Sequence, residues 1–367
     1  MNRSSLRTQL LSSAVSEAAV LAISIFVSIL VNRALQPAGR GMFSATLNTV
    51  QIAYMVSCFS LSKCFLYFFN REGFSKQAVM GGAVCLFPVG LMIGFTLLSV
   101  FNARDFMGES VGVFAIAVGL LFLFLLQDVV FGALRAVREI HILNGSKILQ
   151  QVGRLSLAGV LFAVGALNFP SALLVELVSL AGACLLLCWG FSRHRELFPK
   201  LDEPFRLARQ IIAYGILYQL YSITWQIHQK VDVILLKAWT SAEQTGLYAT
   251  AVNLTDFISR LPLLVLFVLT PYIAQFRNEQ ESLEKTTQMC RISLPFFLLG
   301  GILMWLLARW LVVFLYGSSF AESGGLIRIL VPAKIAAGIM MLMTSFLIIK
   351  GYFKPLLIVQ SLSLAVN

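Results

Sequence analysis

Apolar runs long enough to cross about 30 Å of hydrocarbon fall near 9–32, 42–69, 77–102, 111–134, 147–168, 170–191, 208–237, 247–276, 291–316 and 324–349. An eleventh starts near Pro355 and reaches Asn367, the last residue given. Runs of this length predict membrane helices, because only a helix pairs its backbone polar groups within the segment. The connections are short and leave no room for an extramembrane catalytic domain. Basic residues sort them into two sets. With the N-terminus in the cytoplasm, the even connections carry Arg71 and Lys76, then Arg135, Arg138 and Lys147, then Arg193, Arg195, Lys200, Arg206 and Arg209. Arg277, Lys285 and Arg291 follow, and finally Lys350 and Lys354. Most odd connections are poor in cations, with Arg33 and Arg40 in the first as the exception. The positive-inside rule therefore puts the N-terminus in the cytoplasm.

A short pattern recurs about 205 residues apart. Gly41-Met-Phe-Ser-Ala-Thr-Leu-Asn48 and Gly246-Leu-Tyr-Ala-Thr-Ala-Val-Asn253 share the glycine, an aromatic two places on and the asparagine, after which Gln51 matches Asp256. Each copy follows a long apolar run and a short polar connection. The spacing predicts a duplicated bundle, with two halves around a central cavity. The longest connection, 191–207, divides the chain into an N-terminal six-helix bundle (1–190) and a C-terminal bundle (208–367) of four helices and a partial fifth. The expected fold is all-α and polytopic, with a second bundle that looks truncated.

Composition agrees with the membrane class. Of 367 residues, 58% are hydrophobic and 12% charged, with a mean hydropathy of +0.84. Soluble domains carry about 25% charged residues. The net charge of +11 is spread over connections rather than gathered on a soluble module, which argues against nucleic acid as partner. Cys58, Cys64, Cys85, Cys184, Cys188 and Cys290 lie in or beside apolar runs without histidines to complete a metal site. No phosphate-binding glycine loop, zinc-protease helix or nucleophile elbow occurs, so neither a cofactor, a metal nor an enzymatic activity is expected.

Ionisable residues inside spans are costly unless they face protein or water, and each is a functional candidate. The cations are Lys63, Arg154, Lys230, Arg260, Arg309 and Lys334; the anions are Glu17, Asp128, Glu176, Asp232 and Asp256. Asp256 and Arg260 are four residues apart and can meet on one helical face. This is either a self-neutralising pair or a cation held ready for an anionic head group. The seventh span carries Tyr214, Tyr218, Tyr221, Trp225, His228 and Asp232 at spacings of three and four, a stripe about 27 Å long. Such a row suits the apolar faces and hydroxyl edges of sugars, and equally suits helix packing. In the first span, Glu17 shares a face with Ser13, Ser24 and Ser28. Glu17, Asp128 and Glu176 are the carboxylates able to take up and release a coupling ion, H+ or Na+. Pro262, Pro271 and Pro332 interrupt the eighth and tenth spans, as hinges or as fixed kinks.

Five ordered segments resemble the polysaccharide biosynthesis proteins, the lipid-linked oligosaccharide flippases related to multidrug-and-toxin-extrusion transporters. They are Asn32-Arg-Ala-Leu-Gln-Pro-Ala-Gly-Arg-Gly-Met-Phe43, Lys230-Val-Asp-Val-Ile-Leu-Leu236, Gly246-Leu-Tyr-Ala-Thr-Ala-Val252, Pro271-Tyr-Ile-Ala274 and Leu315-Tyr-Gly-Ser-Ser-Phe320. The resemblance implies transfer of a polyprenyl-diphosphate-linked oligosaccharide across a bacterial inner membrane by alternating access. It also implies membrane lipid and other polysaccharide-assembly membrane proteins as partners. On that reading Arg260, Lys334 and Lys230 meet the diphosphate, and the Tyr214-to-Asp232 stripe meets the glycan. A cation-coupled multidrug exporter of the same fold and a membrane-embedded glycan polymerase or ligase are the alternatives. The exporter would favour an acidic cavity, and the polymerase a large outer loop.

Overall fold

The first ten apolar runs are helical where described in a computed structural model, the second with a break inside it. The structure describes residues 3–103, 110–273 and 279–349 with 355, 356, 358, 359 and 362; side chains are described for 15–103, 110–258, 280–344 and 347, and for those last five positions. The helices are α1 (Arg3–Ser57), α2 (Leu61–Phe68), α3 (Lys76–Asn102), α4 (Val111–Ala136), α5 (Ile140–Ala163), α6 (Phe169–Ser192), α7 (Pro204–Trp239), α8 (Ala242–Ile273), α9 (Glu279–Tyr316) and α10 (Ser323–Ile349). No strand occurs among the described residues.

The first two expected spans are joined by a kink rather than a loop. Gln36 has φ 55° and ψ 175° inside α1, immediately before Pro37. Proline removes a helical N–H and pushes the preceding residue out of the α region. The second span, expected to be continuous over 42–69, is itself broken. Phe59 and Ser60 both adopt positive φ (50° and 51°), which separates the end of α1 from α2.

Elsewhere the turns follow local rules. α5 closes with Gly165 at φ 68°, with Ala166 N bonded to Leu161 O (2.8 Å) and Gly165 N to Phe162 O (3.1 Å). This crossed pair caps the last carbonyls of the helix. α6 then opens on a reciprocal box between Asn168 and Ser171, with Pro170 in its first turn.

Six helical stretches among the described residues are long and apolar enough to cross a bilayer: Val15–Phe68, Lys76–Asn102, Val111–Ala136, Phe169–Ser192, Gln280–Tyr316 and Ser323–Thr344. The first, at 54 residues, contains two expected spans. The expected fifth and seventh spans are helical as α5 and α7 but too polar to join this set. Their polar positions include Lys147 and Arg154 in α5, and Gln219 through Asp232 in α7.

Two compact units emerge, Met1–Ala34 with Met42–Ala238, and Leu35–Gly41 with Trp239–Asn367. In the first unit, α2 packs on α4 where Gly132 admits Ser62, over a core of Leu61, Cys64, Phe65, Val79, Ala83 and Leu134. α6 seats against α4 and α5 at Gly190, where Ile142 and Leu134 fill the space a side chain would take. In the second unit, α10 packs on α9 with Gly301 facing Ile335 and Gly324 facing Arg309. Tyr316 and Phe320 are buried at the α9–α10 corner on either side of Gly317 (φ 102°).

Residues 35–41 belong to the second unit because the two copies of the repeat meet there. A Cβ on Gly41 would overlap the Ala242 carbonyl oxygen and lie 2.9 Å from Gly246 N. A Cβ on Gly246 would overlap the Pro37 carbonyl oxygen and lie 2.9 Å from Gly41 N. The contact is reciprocal, backbone against backbone. That gives the shared glycine of the motif a physical reason.

Candidate functional site

The polar end of each repeat copy is gripped by a lysine from another helix. In the first copy, Lys230 of α7 donates to Asn48 Oδ1 (3.2 Å) and to Gln51 Oε1 of α1. In the second, Lys334 of α10 lies 2.5 Å from Asp256 Oδ1 of α8. Asp256 is thus engaged across helices, by the ammonium of α10. The Arg260 side chain lies outside the described residues. Lys230 falls in the first unit and Lys334 in the second.

α7 is fastened to α1 and α2 through a face that the stripe did not single out. Gln219 is buried, and its Nε2 donates to the Met55 carbonyl and, at 3.5 Å, to that of Val56. Its Oε1 accepts from Ser60 Oγ at 2.5 Å and from Cys58 Sγ at 3.7 Å. Carbonyls that lose helical partners at the 58–60 break thus find them on α7. Lys230 stands eleven residues from Gln219, three turns along the same face. Both lie about 150° round α7 from the aromatic stripe at 100° per residue. Gln219→Leu is expected to lower stability by about 1–3 kcal/mol, the cost of buried polar groups left without partners. The thermal unfolding midpoint of purified protein checks this, and Gln219→Glu or an unchanged Gln219→Ser would test the need for the amide donor.

The stripe divides by role. Tyr214 stacks on Tyr67 of α2 (centroids 3.9 Å, 16°) and meets Phe68 edge-on at 5.5 Å, so its ring packs. Lys63 Nζ sits 5.4 Å from the centre of the Tyr218 ring, a cation–π contact, and Tyr218 neighbours Tyr221 at 6.3 Å. Trp225 is half-buried. His228 Nδ1 is enclosed with no hydrogen-bond partner among the described residues. Asp232 accepts the N–H of Val233 at 2.9 Å.

The three coupling candidates also separate. Glu17 is ion-paired with Lys147 of α5, and Glu176 with Arg154 at 2.5 Å. Asp128 instead accepts a hydrogen bond from Tyr54 of α1 at 3.2 Å, with Ser62 and Lys63 of α2 nearby. Among the described residues no three metal-type ligands converge.

Residues 142–324 match the polysaccharide biosynthesis protein family. The match covers just under half of the chain. No curated protein matches it. Its fold is that of the MATE transporters. It resembles the inward-facing conformation of a multidrug resistance MATE family transporter of the MOP superfamily (TM-score 0.67, 13% identity, 92% of this chain and 82% of that one). It resembles equally an outward-facing conformation of such a transporter (0.67, 16%, 96% and 83%). A third likeness is to a MOP superfamily transporter from Pyrococcus furiosus whose binding pocket is described as reversed in polarity (0.65, 15%, 96% and 83%). The chain is thus a multi-pass membrane protein built on a transporter fold.

Sequence reasoning missed three residues: Gln219, Ser60 and Tyr54. Gln219 was hidden because an isolated glutamine in a long helix has no periodic partner. The break that gives it work appears only as Phe59-Ser60, with neither glycine nor proline to announce it.

Proposed function

We propose that this protein is a flippase that carries a polyprenyl-diphosphate-linked oligosaccharide across the bacterial inner membrane by alternating access, for surface polysaccharide synthesis. Its N-terminus is cytoplasmic in this reading. The match of residues 142–324 to the polysaccharide biosynthesis family supports the substrate class. The observation that carries the reading furthest is the lysine at each matched polar position, Lys230 at Gln51 and Lys334 at Asp256. Two ammonium groups held by side-chain oxygens inside apolar segments offer charge to a diphosphate at low reorganisation cost, because the protein fixes their positions beforehand.

Arg260, on the same helix as Asp256, is the third cation assigned to the diphosphate. Tyr218, Tyr221, Trp225 and His228 are assigned to the glycan, while Tyr214 serves packing. Asp128 is the favoured coupling carboxylate for H+ or Na+, because a tyrosine hydroxyl is displaced from it more readily than the cations that engage Glu17 and Glu176. Other polysaccharide-assembly membrane proteins are the expected partners.

The test is complementation of a polysaccharide-deficient host at matched expression. Arg260→Ala and Lys230→Ala are expected to abolish surface polysaccharide, and Arg260→Lys to retain part of it. Wild-type levels from both alanine variants would remove the anion-binding assignment. Energy-dependent drug efflux by the wild-type chain, without polysaccharide, would favour the exporter.

A further inference from the structure

The connection between α6 and α7 is the longest among the described residues, yet it does not hang in water. Lys76 at the start of α3 pairs with Glu196 at 3.1 Å. Gln77 donates to the Arg195 carbonyl (3.3 Å) and accepts from Lys200 N (3.0 Å). His194 meets Glu139 at 3.1 Å, and Leu197 is fully buried. The chain then crosses α3 over two glycines. A Cβ on Gly81 would overlap the Lys200 carbonyl oxygen, and one on Gly82 would lie 3.0 Å from Ala208 N.

That crossing fixes the depth. Gly81 is five residues into α3 from Lys76, about 7.5 Å along the axis. A basic residue at a helix end marks the water boundary, so the 198–205 stretch runs within the headgroup and upper acyl region. At this depth Phe198, Leu201 and Phe205 are 47%, 65% and 82% exposed. Three large apolar side chains so open at the water boundary fit lipid and not water. Cations alternate with them. Arg206 is taken by Glu203 (2.7 Å) and Lys76 by Glu196. Arg193, Arg195, Lys200 and Arg209 remain exposed against the single acid Asp202. Arg193 sits over the Trp189 ring, 3.5 Å from its centre, the ring itself half exposed at the same end of α6.

We infer that the 193–209 segment is an in-plane shelf that seats in the bordering leaflet and binds anionic phospholipid headgroups. Phe198, Leu201 and Phe205 enter the acyl boundary, and Arg193, Arg195, Lys200 and Arg209 take the phosphates. Charge complementarity selects the occupant: four cations against one anion attract an acidic lipid over a zwitterionic one, by about fivefold for each cation near the surface. The shelf is separate from the membrane lysines assigned to substrate.

The full chain carrying Phe205→Trp is reconstituted in vesicles of equal phosphatidylglycerol and phosphatidylcholine, with bromine on the acyl chains of one lipid or the other. Emission is read relative to the unsubstituted protein. Stronger quenching by the brominated phosphatidylglycerol supports the shelf, and Arg193→Gln/Arg195→Gln/Lys200→Gln in the same background should make the two lipids quench equally. Equal quenching before that change overturns the headgroup preference. Absence of quenching by either lipid overturns the shelf altogether and leaves these side chains to a soluble partner.

Discussion

Gly41→Ala is expected to destabilise the protein by about 2 kcal/mol, while the same change at Gly182 leaves it unchanged or slightly stabler. Alanine is favoured over glycine in a helix by about 1 kcal/mol. At Gly182 nothing lies within 4 Å of the added methyl, so that gain stands. At Gly41 the methyl overlaps the Ala242 carbonyl. Backbone cannot rotate aside as a side chain can, and the overlap costs about 3 kcal/mol. Gly246→Ala should match Gly41→Ala, because the Pro37 carbonyl occupies the corresponding place. The double variant should fall short of the sum, since one displacement relieves both contacts. Unfolding midpoints in detergent, followed by size-exclusion fluorescence, give the comparison. A Gly41→Ala protein as stable as wild type would contradict the close crossing of the two repeat copies.

The second large effect lies at Asp256 and Lys334. Their side chains are 39% and 14% exposed, in the middle of α8 and α10. Lys334→Asp sets two carboxylates together, and Asp256→Lys two ammonium groups. Each is expected to cost about 3 kcal/mol, the order of an uncompensated charge in the hydrocarbon, and to reduce the folded yield sharply. The exchanged pair, Asp256→Lys with Lys334→Asp, restores opposite charges and should recover most of that yield. Surface polysaccharide then separates the roles. If Lys334 serves the substrate, the exchanged protein folds but transports poorly. Recovery of both yield and polysaccharide would reduce the pair to a structural tie. Failure to recover yield would contradict the 2.5 Å contact itself.

Much of the architecture was legible from the chain. Ten apolar runs became helical because a bilayer leaves no other way to pair the backbone along a single segment. The repeated glycine, aromatic and asparagine marked a duplication, and the two glycines prove to pack backbone against backbone. Polar positions inside spans drew attention to Lys230, Asp256 and Lys334, and all three engage side chains of other helices.

The partners were a different matter. Helical spacing can bring Asp256 to Arg260, four residues on, but it cannot reveal an ammonium arriving from α10. It groups Tyr214 with Tyr218 and Trp225, but it cannot tell that Tyr214 will lie flat on Tyr67. Nor does it show why a lone Gln219 matters, since its value depends on carbonyls set free by a break more than 150 residues earlier in the chain. Chain order joins α7 to the helices that follow it, whereas its hydrogen bonds run to α1 and α2. Periodicity and composition act within a segment, and so the sequence alone determined the helices, the membrane class and the repeat. Which helix answers which charge depends on groups distant in sequence and adjacent in space, and only the tertiary structure decided that.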